Sequence, residues 1–264
     1  LKPASLANWF SPTEQKEGEQ AVHVLTSISL ENFKAFQTLR LELHPVTVLI
    51  GPNGTGKTSI AQALMLLRQS APQQPGQPPN QAVIFKPGQP NVSFIDLIGF
   101  EHVVFRGDVS RAISIGFTAE TELSPLVLGD SKDVDHQASC TYEVAFALQQ
   151  GWAYVVRNRG EIHSRRGWKL ATNWQSDVPP PEVKEPIGPF SVTVNPSAGI
   201  GSPFTIGRVE RRPLTHGAPG FEENAYRLAE QEIHHLAYTF AQIIHSWRFV
   251  PPLRGFAQPD YPLA

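Results

Sequence analysis

Cysteine is almost missing from this 264-residue chain. Cys140 stands alone, so neither an internal disulfide nor a cysteine-based zinc site is available, and a secreted, disulfide-stapled scaffold is excluded. Charged residues make up only 17%, below the ~25% of an average soluble domain, and with the many prolines and glycines this argues against long helical bundles and coiled coils for most of the chain. No run approaches the ~20 apolar residues that a membrane helix needs, and Leu1 to Gln20 lacks the apolar core of a signal peptide. A soluble, cytoplasmic protein is expected. An excess of charge is lacking too: a formal −2 argues against a surface that tracks nucleic acid throughout, while a local basic patch stays open. What the chain has in quantity is proline, with 24 residues, and glycine, with 20, the composition of a loop-rich fold.

Leu1 to Gln20 shows no periodicity and reads as a tail or surface loop. From Val22 the pattern alternates through Leu30, turns at Asn32 to Phe36, and alternates again over Leu39 to Leu43, which predicts two strands joined by a turn. Val46-Thr47-Val48-Leu49-Ile50 is a continuous apolar run and predicts a strand buried on both faces. Ile60, Ala63, Leu64 and Leu67 then recur at helical spacing over Ser59 to Arg68. Ala71 to Pro90 is rich in Pro, Gln and Gly and predicts an exposed loop. Short strand-like runs follow at Val103–Phe105, Ala112–Thr118, Thr141–Leu148, Trp152–Val156 and Ser191–Val194, interrupted by a proline cluster at 179–189. Glu222 to Trp247 predicts one long helix, with a stripe from Ile233 through Phe240 to Trp247.

Gly51-Pro52-Asn53-Gly54-Thr55-Gly56-Lys57-Thr58 carries the chemistry. It fits the phosphate-binding pattern of Gly, four residues, then Gly-Lys-Ser/Thr. Glycines let the backbone take positive φ and approach an anion closely, so that successive N–H groups converge as a nest. The following helix N-terminus favours the same negative charge. Within this pattern Asn53, Gly54, Thr55 and Gly56 form the cradle and Lys57 is the mobile cation for the β- and γ-phosphates. Thr58 is the Mg²⁺ ligand and Ser59 is placed for the α-phosphate. A strand entering the loop and a helix leaving it are the context that separates this motif from a chance glycine-rich turn.

Together with Ile28-Ser29-Leu30-Glu31-Asn32-Phe33-Lys34-Ala35-Phe36, this segment resembles the N-terminal lobe of ABC-type ATPases of the RecF/SMC/OLD-like group, which includes AAA family and AAA-15-like ATPases. Weaker likeness continues through Ser93–Ile98, Arg106–Asp108 and Arg248–Gly255. The resemblance implies an α/β P-loop NTPase fold of the ABC/SMC-head kind: a P-loop core at 22–70, a mixed or antiparallel β-rich subdomain at about 91–215 and the helix at 222–247. It also implies ATP and Mg²⁺ as ligands, Lys57 as the catalytic cation, Lys34 as a basic residue near the nucleotide, a head-to-head homodimer, and DNA as a candidate partner. Several family elements have no counterpart: the signature Ser-Gly-Gly/Gln, the hydrophobic strand ending in Asp-Glu, and the switch histidine. Asp96 imitates the first acid, but Leu97 stands where the glutamate belongs, so a core strand is expected there. The coupling glutamine has no clear match, and Gln89 lies in low-complexity sequence. These absences lead to the expectation that the chain is an N-terminal half whose C-terminal half is elsewhere, inactive in hydrolysis alone. A complete small P-loop kinase or nucleotide switch, and a non-catalytic nucleotide-binding module, are the alternatives.

Two further constellations have simpler readings. Trp152 to Gly160 with Arg165 to Lys169 interleaves cations and rings as a nucleic-acid surface does, yet a solvated hairpin turning at Asn158-Arg159-Gly160 fits as well and is favoured. Arg208, Arg211 and Arg212 form a second basic spot. Glu232, His234, His235 and His245 hold only fragments of a metal motif, and solvated or capping histidines are the better account.

Overall fold

A computed structural model describes residues 23–72, 81–86, 95–123, 137–165, 167–176, 182–187, 190–211 and 223–248. The tail at 1–20, Gln89, Ser93 and Arg212 lie outside them. Alternation of apolar and polar residues yields strands β1 (Val24–Phe33), β2 (Phe36–Glu42), β3 (Ile113–Glu122), β4 (Gln137–Gln149), β5 (Trp152–Ser164) and β6 (Lys169–Gln175). They form one sheet in the order β2-β1-β3-β4-β5-β6, and every pairing is antiparallel. A smaller sheet holds β7 (Val183–Ile187), β8 (Phe190–Gly199) and β9 (Ser202–Arg211). The helices among the described residues are α1 (Lys57–Ser70), α2 (Glu223–His235) and α3 (Thr239–Ser246).

Register decides which face of the large sheet is buried. Leu30 pairs with Ile115 and Ile115 with Val144; Ile28 pairs with Phe117 and Phe117 with Tyr142. All six side chains are buried on one face. Against that face pack α1, α3 and the small sheet. Rings of Phe117, Tyr142 and Phe240 stack through the layer at 5.3 and 5.4 Å, and the Gly201 N–H donates to Tyr142 Oη at 2.8 Å, giving the buried phenol its partner. Complete burial of a side chain of this size contributes about 1.5–3 kcal/mol.

Six local expectations change. Val46–Ile50 forms no strand: Val46, Val48, Leu49 and Ile50 are 82%, 73%, 40% and 92% exposed. A strand buried on both faces needs a neighbour along each edge, and none of the described strands pairs with this run. Val103–Phe105 lies across two 3-10 turns, Phe100–His102 and Phe105–Gly107, and touches the sheet through one bridge, Val104 to Phe33. Ile95–Gly99 is likewise no strand; Asp96 is exposed and its Oδ1 accepts the Ile98 N–H at 2.8 Å in a local turn.

Asn158-Arg159-Gly160 is no turn but the middle of β5. Asn158 is buried there and donates Nδ2 to Ser197 O at 2.9 Å and Gly199 O at 2.7 Å, while a Cβ at Gly160 would overlap Pro203. These turn-prone residues serve contact between the two sheets. The actual reversal lies between the end of β5 and the start of β6, where the Ser164 N–H donates to Trp168 O. The proline cluster at 179–189 contains β7 itself; this is an edge strand, so Pro186 has no second neighbour to leave unpaired. Finally, the long helix is broken by a 3-10 turn at Leu236–Tyr238, where Ser202 Oγ donates to Ala237 O at 3.5 Å. The apolar stripe is nonetheless intact: Ile233, Leu236, Phe240, Ile243 and Ile244 are all buried.

Candidate phosphate-binding site

The loop between the exposed run and α1 is built from its own sequence. Gly54 (φ +85°) and Gly56 (φ +93°) occupy left-handed conformations that side-chain-bearing residues rarely adopt. Thr55 Oγ1 donates to Pro52 O at 3.0 Å and tightens the bend. A Cβ at Gly54 would meet no atom within 4 Å, so this flank of the loop is open to a ligand. Gly56 is the N-cap of α1, with no side-chain cap and no acidic residue in the first turn. The helix therefore starts with its amide donors uncapped by a carboxylate, the electrostatic condition an anion needs. At the other end Arg68 lies in the last turn, favourable to the dipole, and donates Nη1 to Trp247 O at 2.5 Å.

Lys57 is the first helical residue. Its Nζ curls back to donate to Gly51 O and Pro52 O, both at 2.6 Å, which holds the ammonium at the loop. Neutral carbonyls are weaker acceptors than phosphate oxygens, so an anion in the loop would compete well for this cation. Asn53 and Thr58 are exposed, whereas Ser59 is buried in the first turn, its N–H donating to Gly56 O at 2.9 Å.

Lys34 sits in the β1–β2 turn with φ +50° and donates Nζ to Gln62 Oε1 of α1 at 2.7 Å. Partial burial lowers its pKa from the ordinary lysine value. The turn thus comes against the start of α1, bringing Lys34 and the glycine loop into one neighbourhood. Two contributors escaped sequence reasoning. A Cβ at Gly56 would lie 2.6 Å from Phe36 Cζ and 3.2 Å from Ala35 Cβ, so the hairpin tip abuts the loop, and Gln62 is the side chain that holds Lys34. The Asn-Phe-Lys-Ala-Phe segment held the signal for the first, and helix spacing after Lys57 for the second.

Residues 24–118 match the family model of the AAA ATPase domain. The match covers the β1–β2 hairpin, the glycine loop, α1 and most of β3, and it supports an ATP-binding P-loop ATPase domain. ATP is the nucleotide this family implies, usually with Mg²⁺. The loop fits both: open space at Gly54, an uncapped helix start, a lysine at the loop and the exposed Thr58. No curated protein matches the chain.

The other candidate constellations resolve into local pairs. Arg157 pairs with Glu143, and Arg159, His163 and Lys169 all converge on Glu161. Arg208 pairs with Glu210 at 2.9 Å. A cavity of about 540 Å³ opens on this polar sheet face between Arg157 and Arg111, and Arg111 is held by Asp108 at 2.8 Å. His245 Nε2 lies 2.7 Å from Pro72 O, and burial lowers its pKa. Among the described residues no group of three His, Cys, Asp or Glu side chains could hold a metal ion, and no helix is long and apolar enough to cross a membrane.

Proposed function

We propose that this chain is the ATP-binding lobe of an SMC/RecF/OLD-like ATPase. The observation that carries the reading is the loop with left-handed Gly54 and Gly56 running into an uncapped helix start, with Lys57 as its first residue. Backbone amides of the loop and of the first turn of α1 would hold the phosphates. Lys57 would stabilise charge on the γ-phosphate, and Lys34 is a further cation nearby. Thr58 would be the protein ligand to Mg²⁺, which when bound offsets phosphate charge.

Hydrolysis needs a carboxylate to orient water, and Asp96, the acid that imitates the family's, is engaged in its own turn. The exposed Val46–Ile50 run supports a second half, in the same protein or in a partner, that supplies neighbouring strands and that carboxylate. Pairing of two such heads would then close the site. The local acid partners of Arg157, Arg159 and Arg208 do not favour a DNA surface on the β-rich part, so a role on DNA would lie elsewhere in the assembly.

Titration of the 264-residue chain with Mg·ATP tests the reading. Lys57→Ala is expected to remove most of the affinity, and unchanged binding would overturn the site. Turnover is expected far below the ~1–100 s⁻¹ of competent phosphoryl-transfer enzymes. Robust Lys57-dependent hydrolysis by these residues alone would instead point to a complete enzyme.

A further inference from the structure

The tip of the β1–β2 hairpin is fixed far more firmly than a two-residue turn requires. The Lys34 N–H donates to Val103 O at 2.6 Å, and Phe33 bridges Val104. Asn32 Nδ2 donates to Ala112 O at 3.0 Å, and Lys34 Nζ reaches Gln62 on α1. Asn32 and Lys34 both hold left-handed backbone, at φ +53° and +50°, a conformation disfavoured in side-chain-bearing residues and sustained here by these surrounding bonds. What this anchored turn presents at its far end is the ring of Phe36, packed where a Cβ of Gly56 would be, 2.6 Å from Cζ and 2.9 Å from Cε2.

Gly56 is the pivot of the loop. Its φ of +93° and ψ of 5° set the direction in which the next amides, those of Lys57 and Thr58, enter the helix. A glycine by itself moves freely between such conformations. We propose that Phe36 is a positioning residue for phosphate binding: its ring, held by the anchored turn, occupies the space beside Gly56 and keeps the end of the glycine loop in its anion-binding shape. The inference rests on the reading that this loop takes the phosphates of a nucleoside triphosphate. Phe36 touches no phosphate in this scheme; it acts through Gly56, lowering the cost of ordering the loop when an anion arrives.

Two measurements on the 264-residue chain test it: amide hydrogen exchange of the segment 51–59 without nucleotide, and titration with a fluorescent Mg·ATP analogue. Phe36→Ala is expected to speed exchange in the loop and weaken binding about tenfold, and Phe36→Tyr, which keeps the ring, to restore both. Phe36→Leu, which keeps apolar bulk but not the ring's far edge, should fall between and serves if the alanine variant does not fold. Gly56→Ala should lose less affinity in the Phe36→Ala background than in the native chain, since the ring it collides with is gone. Unchanged loop exchange in folded Phe36→Ala and Phe36→Leu chains overturns the proposal, as does additive behaviour of the Gly56 and Phe36 substitutions. Lys57→Ala separates the two ideas. Faster loop exchange in Phe36→Ala, with Mg·ATP binding indifferent to Lys57, supports the brace on Gly56 and sinks the phosphate reading on its own.

Discussion

The antiparallel sheet and the glycine loop are built on opposite terms. In the sheet, Ile115 is buried because Leu30 and Val144, both far away in sequence, lie on either side of it. In the loop, Thr55 bonds Pro52 and Lys57 bonds Gly51 and Pro52, all within six residues. Between them lies Val46–Ile50, with the composition of the first region and the exposure of the second. Apolar sequence gives a strand only when partners exist to hydrogen-bond its edges and cover its faces, whereas the hydrogen bonds that shape this loop come from within it, with the Phe36 ring packed only at its end.

The sharpest way to break this contrast is to cut into the core. Phe240 is fully buried against Tyr142 and Phe204, so Phe240→Ala should cost about 3–5 kcal/mol in chemical denaturation. A loss below about 1 kcal/mol would mean that the two layers do not pack as described.

Within the loop the expected effects are smaller and specific to the ligand. Thr58 is exposed, so Thr58→Ala should leave folding intact and weaken ATP binding about tenfold in Mg²⁺. An equal loss in EDTA would remove the metal role.

The polar face of the sheet supplies a pH-dependent term. Burial would raise the Glu161 carboxyl, but hydrogen bonds from His163, Arg159 and Lys169 outweigh it and hold the group at about 2, against an ordinary 4.5. A carboxyl depressed on folding stabilises the protein above pH 4.5, and that contribution disappears as the pH falls from there toward 2. Because its three partners are half exposed, about 1 kcal/mol is expected. Glu161→Gln should flatten the acid limb of a stability profile over that window; an unaltered limb would show the cluster to be ornamental.

The smallest effect belongs to the exposed run. Ile50→Ser should shift stability by less than about 0.5 kcal/mol, because no described residue covers it. A loss of several kcal/mol would reveal burial in the isolated chain and dissolve the contrast with the sheet.

These differences also explain what could be read directly from the residues. The hairpin of β1 and β2, helix α1 and the glycine loop were legible, since each is coded by short-range pattern: alternation, 3.6-residue recurrence and the glycine spacing. Three features were not. Asn158 and Gly160 look like a turn because both residue types favour turns, yet they lie mid-strand where Ser197, Gly199 and Pro203 from the other sheet meet them. The break at Leu236–Tyr238 has no proline or glycine to announce it and coincides with the carbonyl to which Ser202 donates. Lys34 could be picked out near the site; Phe36 lies in the same recognisable segment, but its packing against Gly56, twenty residues along the chain, could not be read from it.

The order β2-β1-β3 also sets how the site is carried. After β2 the chain runs through Val46–Ile50, the glycine loop and α1, touches the sheet where Ala82 bridges Tyr154 and Val104 bridges Phe33, and enters β3 on the opposite flank of the same strand β1. The candidate site therefore lies on one excursion whose two ends flank a single strand. The entropy of closing such an excursion grows only with the logarithm of its length, each doubling costing about 0.6 kcal/mol. The stretch beyond α1 is not slack within it: Val103 and Ala112 hold the hairpin tip, and Val83, Leu97 and Phe100 are buried in the core. In that sense the sheet is a chassis, and the glycine loop a part fastened to it through the hairpin tip, which meets Gly56 on one side and Val103 on the other.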